Sequence, residues 1–340
     1  MSRVCKDIGV LNRRNILVSA ASLGVAALAE AQTPPPIAAD RKHVPGLWEP
    51  DETIDLWPAG TPGMPETGLT ETVVERSKDA DLTDRAVLGV TRPRLVVFRP
   101  RVPNGTGLLV TPGGGYQWVV VDREGYEIGR WLAARGFTVF VLFYRLPSDG
   151  WAAGPNVALS DAQRAMRLIR ARARDYGLAQ ERIGAMGFSA GGHLCCDLST
   201  RFDVQTYKPQ DAADRLSARP DISAPIYPVQ SMTLPTAHAG SRAFLIGKDA
   251  SPVLERAHTP AFNVTARTPP TFLVHAEDDT LVPVENSLLY RAALKQAAIP
   301  VETHLFTAGG HGFGIRRAVG KPAEIWPELF VNWARTQGVG

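Results

Sequence analysis

Short apolar runs alternate with helical segments along most of the chain, and this alternation limits the folds that are open to it. Several of the seven runs are apolar at nearly every position, as strands covered on both faces should be. Parallel neighbours need crossover connections, so the pattern predicts an α/β domain with a single doubly wound, mostly parallel sheet flanked by helices. Strands are predicted at residues 95–98, 107–111, 138–144, 183–188, 222–227, 271–275 and 301–306, and helices at 124–135, 160–176, 190–201, 284–296 and 324–337.

The helix predicted at 160–176 has one apolar face and a run of positive charge. Ala162, Met166 and Ile169 recur at three- and four-residue steps, so this face is expected to pack on the sheet. A charge run is typical of a solvated outer face, which we favour over a phosphate-binding stripe. The basic residues are Arg164, Arg167, Arg170, Arg172 and Arg174.

The N-terminal 31 residues have the pattern of a signal peptide. Arg13 and Arg14 precede an apolar run at 16–28, and Ala29-Glu30-Ala31 has the small-x-small pattern that a signal peptidase reads. The run is too short for a stable membrane anchor. The arginine pair partly matches a twin-arginine signal, while a general secretory route stays open. We expect cleavage near Ala31 and a periplasmic or secreted protein.

Charge and cysteine content argue against three classes of protein. The 340-residue chain has 37 Lys and Arg against 34 Asp and Glu, so it lacks the basic excess of a nucleic-acid binder, and we expect no such partner. Three cysteines are too few for a disulfide scaffold or a cysteine-based zinc site. The adjacent Cys195 and Cys196 are interpreted as buried helix residues.

The most specific motif is Gly187-Phe188-Ser189-Ala190-Gly191, which joins a predicted strand to a predicted helix. In such a strand–turn–helix elbow, a Gly-x-Ser-x-Gly motif holds the serine in a strained conformation with its hydroxyl accessible. Ser189 is therefore predicted to be a nucleophile. The alternative is a turn of small residues that lets the helix pack closely on the sheet.

A serine nucleophile needs a general base and an orienting carboxylate. His311 is the predicted base, because it lies in a glycine-rich loop at 309–314 directly after the last predicted strand. For the carboxylate, the Asp-x-x-Val-Pro spacing that starts at Asp279 favours this residue, with Asp278 as the second choice. Both acids are also common in turns and helix caps.

Backbone amides that stabilise an oxyanion are predicted in the segment Pro112-Gly113-Gly114-Gly115-Tyr116, which follows a predicted strand. We assign the oxyanion hole to Gly114, Gly115 and the amide of Ala190. A phosphate cradle is disfavoured because no Lys-Ser/Thr pair follows the glycines. Chemistry of this kind requires neither a metal nor an organic cofactor, and we expect none.

These motifs together resemble the α/β-hydrolase family, and the glycines at 113–115 look like the HGGG motif of its esterases, with Pro112 in place of the histidine. A narrower resemblance is to the exported bacterial carbohydrate acetylesterases, the acetylxylan-esterase-like branch. It implies a serine esterase that removes acetyl groups from hemicellulose, such as acetylated xylan or its oligosaccharides, through an acyl-enzyme. The narrower resemblance is seen at residues 56–60, 111–116, 187–193, 227–229 and 277–287.

The sequence also predicts a domain organisation, and the resemblance implies an acetylated oligo- or polysaccharide as the partner. The signal peptide would be followed by a Pro- and Gly-rich lead-in at 32–70 and by the catalytic domain at 71–340. The insertions at 202–221 and 228–261 are polar and short, so we expect no large lid and no long-chain lipid substrate. Tyr116 and Trp118 are candidates for stacking on sugar rings. A serine peptidase or amidase of the same fold and a non-catalytic carbohydrate-binding relative are the alternatives.

Overall fold

The computed structural model describes residues 49–66 and 68–340. The predicted signal peptide and the first part of the lead-in therefore lie outside the described residues. Within the described part of the chain, no helix is both long enough and apolar enough to cross a bilayer.

Eleven strands form two sheets in the described part of the chain. The larger sheet has eight strands in the order β1-β4-β7-β5-β8-β9-β10-β11, and the smaller has the order β2-β3-β6. The strands are β1 (Glu52–Asp55), β2 (Thr72–Glu75), β3 (Arg85–Leu88), β4 (Arg94–Phe98), β5 (Gly107–Thr111), β6 (Val119–Val120), β7 (Thr138–Phe143), β8 (Ile183–Phe188), β9 (Ser223–Ile226), β10 (Thr271–Ala276) and β11 (Val301–Phe306).

Six strands of the larger sheet run parallel, from β7 to β11, and β4 pairs antiparallel with both β7 and β1. Strands β5, β7, β8, β9 and β10 are buried along their whole length, in agreement with their apolar sequences. The helices that accompany the sheet are α1 (Glu127–Ala133), α2 (Val157–Ala171), α3 (Ser189–Arg201), α4 (Ala239–Ile246), α5 (Pro252–Ala257), α6 (Glu285–Gln296) and α7 (Trp326–Thr336).

The predicted doubly wound, mostly parallel sheet is confirmed. Each of the seven predicted strands and five predicted helices has a counterpart with similar bounds, although the first predicted helix begins with a π-helical turn at Asp122–Tyr126. The sequence reasoning missed β1, β2, β3, β6, α4 and α5. Strand β1 lies in the larger sheet, ahead of residue 71, and α4 and α5 are short helices within the insertion at 228–261.

The prediction of a solvated arginine face on α2 is wrong for Arg164. Its side chain is 1% exposed, and its two terminal nitrogens lie 2.8 and 2.6 Å from the carboxylate oxygens of Asp211. Asp214 Oδ1 lies 3.1 Å from Arg164 Nη1. The insertion at 202–221 therefore covers this part of the helix and supplies the carboxylates that a buried guanidinium needs. Cys195 and Cys196 are buried within α3, as predicted.

The loops that follow β5, β8, β10 and β11 share one edge of the larger sheet. Strands β5, β8, β10 and β11 are parallel, so their carboxyl ends meet at the same edge. This edge carries the glycine-rich segment after β5, the serine after β8, the acidic loop after β10 and the histidine loop after β11. In open α/β sheets, this is the edge at which ligands bind.

Candidate active site

Ser189 lies at the junction of β8 and α3 in a strained backbone conformation, with φ = 53°. A residue other than glycine rarely adopts this left-handed backbone conformation without support from its surroundings. The support comes from close packing, because a Cβ at Gly191 would overlap the backbone oxygens of Thr111 and Pro112. The motif glycine is thus required by the close approach of the β5 loop to the first turn of α3.

The three predicted residues Ser189, His311 and Asp279 are brought into one hydrogen-bonded row. His311 Nδ1 lies 2.7 Å from Asp279 Oδ2, and His311 Nε2 lies 2.8 Å from Ser189 Oγ. With Nδ1–H donating to the carboxylate, Nε2 is left to accept the serine proton. This is the arrangement in which an imidazole can act as a general base on a hydroxyl.

The carboxylate of Asp279 is buried and held in a fixed orientation. Its Oδ1 accepts hydrogen bonds from the amides of Leu281 and Val282, at 3.0 and 2.9 Å. Burial by itself raises the pKa of Asp279, but hydrogen bonds from His275 and His311 outweigh it and hold the pKa well below its usual range. Asp279 is therefore ionised near neutral pH.

His275 supports the acidic loop from within β10. It is fully buried, and its Nε2–H donates to the carbonyl of Val282 at 2.9 Å while lying 3.3 Å from Asp279 Oδ2. Its Nδ1 accepts from the hydroxyl of Ser287 at 2.7 Å. The sequence reasoning placed this histidine in a strand and gave it no part in the site.

The glycine segment after β5 presents two free amides near the serine. The amide of Gly113 donates to Glu124 Oε2 at 2.9 Å, whereas no group in residues 49–66 or 68–340 accepts a hydrogen bond from the amides of Gly114 and Gly115. Gly114 has φ = 132°, and a Cβ there would overlap the carbonyl of Trp118. The amide of Ala190 lies in the first turn of α3, where N–H groups have no partner within the helix. These are the three predicted donors.

A buried network that sequence reasoning missed links the loops around the site. Glu124 Oε1 accepts from the hydroxyl of Tyr227 at 3.0 Å, and this hydroxyl accepts from the amide of Gly314 at 3.1 Å. Glu124 therefore joins the glycine segment after β5 to the loops after β9 and β11. The ring of Tyr227 also meets the ring of His311 edge-on, with centroids 5.2 Å apart. No local motif identifies Glu124, which lies in the π-helical turn.

Ser189 and His311 open into a cavity of about 320 Å³. Trp118 lines it and is half-buried, and stacking of this ring on a sugar stays a prediction. The prediction of sugar stacking by Tyr116 is wrong, because its side chain is 1% exposed and its hydroxyl lies 2.7 Å from His193 Nδ1. Tyr116 is a core residue that packs edge-on against Tyr144 and His193.

His238 also lines the cavity, although the sequence offers no motif for it. It caps α4, because its Nδ1 accepts from the amide of Ser241 at 3.1 Å. Burial, followed by the nearby His311, lowers the pKa of His238, so the ring is neutral at neutral pH. With Nδ1 accepting, the proton is on Nε2, which makes His238 a hydrogen-bond donor beside the glycine segment.

The sheet, the elbow serine and the placement of the four loops define an α/β hydrolase. The BD-FAE family matches residues 108–294, which include the glycine segment, Ser189 and Asp279. The chain belongs to this family. A crystal structure of an acetyl ester-xyloside bifunctional hydrolase from Caldicellulosiruptor lactoaceticus is 34% identical, with a TM-score of 0.68, and the similarity covers 87% of this chain and 100% of that one.

Two curated relatives are similar over about two thirds of this chain. An acetylxylan esterase from Xylanibacter ruminicola is 32% identical over 227 residues, which cover 66% of this chain and 44% of that protein. An endo-1,4-beta-xylanase B from Butyrivibrio fibrisolvens is 35% identical over 227 residues, covering 67% of this chain and 34% of that protein. The chain thus spans less than half the length of these relatives. The resemblance to α/β hydrolases of the acetylxylan-esterase type is confirmed.

Proposed function

We propose that the protein is a serine esterase that hydrolyses acetyl and other short acyl esters on hemicellulose, such as acetylated xylan or its oligosaccharides. The hydrogen-bonded row of Ser189, His311 and Asp279 carries this proposal. The names of the relatives support the class of reaction, since they include an acetylxylan esterase and an acetyl ester-xyloside hydrolase.

Acylation begins with attack of Ser189 Oγ on the ester carbonyl. His311 Nε2 takes the hydroxyl proton as the new C–O bond forms, and the carboxylate of Asp279 stabilises the imidazolium through Nδ1–H. The amides of Gly114, Gly115 and Ala190 donate to the oxyanion of the tetrahedral intermediate. His311 then passes its proton to the leaving sugar hydroxyl, and the acyl group stays on Ser189.

Deacylation repeats these steps with water as the nucleophile. His311 removes a proton from water, hydroxide attacks the acyl carbonyl, and the same three amides hold the second oxyanion. Collapse of this intermediate breaks the bond to Ser189 Oγ, which takes the proton back from His311, and the acid is released. The close packing of Gly191 against the backbone of Thr111 and Pro112 holds the strained turn at Ser189, which keeps the nucleophile fixed through both halves of the reaction.

The experiment is a measurement of acetate release from acetylated xylo-oligosaccharides by the parent and by Ser189→Ala. Removal of a nucleophile should lower kcat by about 10³-fold or more without unfolding the protein. Ser199→Ala is the matched control, because Ser199 is a buried serine of the same helix and its hydroxyl donates to Cys195 O. It should stay close to the parental rate.

Three results would change the proposal. Equal turnover by Ser189→Ala would overturn the assignment of the nucleophile. Cleavage of a small aryl acetate without acetate release from the oligosaccharide would leave the nucleophile in place and move the substrate to another short-chain ester. Cleavage of an amide or peptide substrate alone would favour the peptidase alternative.

We further propose export to the periplasm or beyond, with cleavage near Ala31. The support is the sequence of the N-terminal segment, in which Arg13 and Arg14 precede an apolar run. The test is cell fractionation followed by determination of the N-terminal residue, which is expected to be Gln32. Replacing both arginines by lysine should block export by the twin-arginine route, whereas unchanged export would indicate the general secretory route.

A further inference from the structure

Three arginines line the cavity that contains Ser189, namely Arg76, Arg123 and Arg317. All three lie beside the buried carboxylate of Asp84. Its Oδ2 is 3.3 Å from Arg76 Nη2, 3.0 Å from Arg123 Nη1 and 3.6 Å from Arg317 Nη2. In the described part of the chain, no other carboxylate lies within 4.0 Å of any of these three guanidinium groups. Three guanidinium groups therefore pair with a single carboxylate at the wall of the cavity.

The remaining charged groups nearby restore only part of the charge balance. Arg316 adds a fourth guanidinium at 3.4 Å from Asp84, and it also pairs with Glu127 at 3.0 Å. Burial raises the pKa of Glu127 to about 7, so that carboxyl is only partly charged at neutral pH. Glu124 lines the cavity and is a second carboxylate, whose oxygens accept from the amide of Gly113 and the hydroxyl of Tyr227 and whose charge raises the pKa of Arg76. Four guanidinium groups therefore face two carboxylates and the partly charged Glu127, which leaves an excess of positive charge.

The arginines keep donors that no described group uses. Arg76 Nη1 and Arg123 Nε are buried, and neither donates to any group in residues 49–66 or 68–340. Buried donors of this kind cost free energy unless an acceptor is supplied. Burial lowers the pKa of both Arg76 and Arg317, Asp84 acts in the opposite direction, and the neighbouring guanidinium groups lower the pKa of each.

The geometry points to an anion subsite: we propose that Arg76, Arg123 and Arg317 bind a carboxylate carried by the ester substrate while Ser189 attacks its acyl group. A guanidinium is planar and presents paired donors, which suits the two oxygens of a carboxylate. The guanidinium of Arg76 lies over the ring of Trp118, 5.4 Å from its centroid. The apolar indole ring therefore adjoins the charged arginines in the wall of the cavity.

This inference rests on the proposed esterase function and narrows its substrate. The carboxylate has two possible sources, an acidic sugar on the alcohol side of the ester or an acid group at the end of the acyl chain. In either case, the substrate is anionic, and the subsite selects it over a neutral ester of similar size.

The first experiment compares kcat/KM for matched anionic and neutral esters. On the acyl side, the pair is mono-(4-nitrophenyl) succinate and its neutral methyl ester. On the alcohol side, the pair is an acetylated xylo-oligosaccharide with and without a uronic acid branch. The parent should prefer the anionic member of at least one pair, and that pair identifies the source of the carboxylate.

The variants are Arg317→Gln and Arg76→Gln, with Arg316→Gln as the matched control. Each variant removes one positive charge near Asp84, but Arg316 does not line the cavity that contains Ser189. The anionic-to-neutral ratio of kcat/KM should fall about tenfold in the first two variants and stay at the parental value in the third. Equal ratios in all four proteins, or an equal fall in all three variants, would overturn the subsite.

A binding measurement separates this inference from the esterase proposal. In Ser189→Ala, which cannot turn over, titration with D-glucuronate or succinate should change the fluorescence of Trp118, and D-xylose at equal concentration should not. Ser189→Ala/Trp118→Phe assigns the signal, and Ser189→Ala/Arg317→Gln should shift the titration to higher concentration. Binding without any esterase activity would leave the subsite standing and remove the proposed reaction. Esterase activity without anion binding or anion preference would leave the proposed reaction standing and overturn the subsite.

Discussion

Asp278 and Asp279 are neighbours in the chain, and their carboxylates hold the histidine loop at two different points. Asp278 Oδ1 accepts from the amides of Gly309 and Gly310, at 2.9 and 2.7 Å, whereas Asp279 Oδ2 meets the ring of His311. One carboxylate therefore fixes the backbone of the loop and the other fixes the imidazole. Their proximity explains why the sequence alone left both open as the partner of His311.

This division of roles predicts different outcomes for two matched substitutions. Asp279→Asn should lower kcat by about 10³- to 10⁴-fold, because a neutral amide neither stabilises the imidazolium nor selects the tautomer with Nε2 free. Asp278→Asn keeps an oxygen that can accept from Gly309 and Gly310, so it should stay near the parental kcat. Steady-state kinetics on an aryl acetate measures both. A larger loss in Asp278→Asn than in Asp279→Asn would reverse the assignment.

The glycine segment after β5 allows a second matched pair. A Cβ at Gly114 would overlap the carbonyl of Trp118, whereas the nearest atom to a Cβ at Gly115 is the hydroxyl oxygen of Ser241 at 3.9 Å. Gly114→Ala should displace the amides that hold the oxyanion and lower kcat by about 10²-fold or more. Gly115 has φ = 65°, so Gly115→Ala adds backbone strain but no steric overlap, and it should lose less than Gly114→Ala. Circular dichroism of both variants checks that the fold survives, and equal kcat values would argue against an oxyanion hole in this segment.

The fold was largely predictable because its central strands are buried on both faces and therefore apolar at almost every position. Strand β2 has four exposed residues and β6 has only two residues, so neither leaves a pattern in the sequence. They are strands because β3 lies between them and offers backbone partners on both edges. Helix α5 is also short, and no residue of it is buried.

The catalytic residues were predictable for a different reason, namely that each lies in a short local motif. Glu124 and Tyr227 are 103 residues apart, and nothing near either residue signals their hydrogen bond. The same holds for Arg76 and Arg317, which Asp84 brings to the cavity. For Tyr116, an aromatic next to a glycine segment suggested a binding surface. The chain instead turns this ring into the core, where His193 satisfies its hydroxyl.

The network of Glu124 and Tyr227 predicts a coupled loss of stability and activity. Tyr227→Phe keeps the ring against His311 but removes the hydroxyl that donates to Glu124 and accepts from Gly314. Two buried groups lose a partner, which should lower the free energy of unfolding by about 1–3 kcal/mol. Because the network holds the loop that carries His311, kcat should fall as well. Urea unfolding and steady-state kinetics measure the two effects.

Tyr144→Phe is the matched control for Tyr227→Phe. Tyr144 is also fully buried, and its hydroxyl donates to the carbonyl of Pro112 at 2.7 Å and not to Glu124 or the histidine loop. Because one buried group loses its partner and not two, Tyr144→Phe should be destabilised somewhat less and keep more of its kcat. If both variants lost the same fraction of kcat, the effect of Tyr227→Phe would be one of general stability and not of loop positioning.

We expect His258 to make the stability of the protein depend on pH. The residue is 2% exposed, and its Nδ1 meets no partner among the described residues. Burial lowers the pKa of His258 from 6.5 to about 4. Between these values, the unfolded chain binds a proton that the folded chain excludes, so the free energy of unfolding falls as the pH drops from 6.5 to about 4. Above pH 6.5, this histidine contributes no slope.

Replacing His258 by glutamine should therefore flatten the acid side of the stability curve. One proton contributes a slope of up to about 1.4 kcal/mol per pH unit, which the variant loses between pH 6.5 and about 4. His193, whose pKa is also lowered by burial, is left to supply part of the slope. Urea unfolding at several pH values measures the difference, and the two proteins should run parallel between pH 7 and 8. An unchanged slope below pH 6.5 would mean that His258 is protonated in the folded state at the same pH as in the unfolded chain.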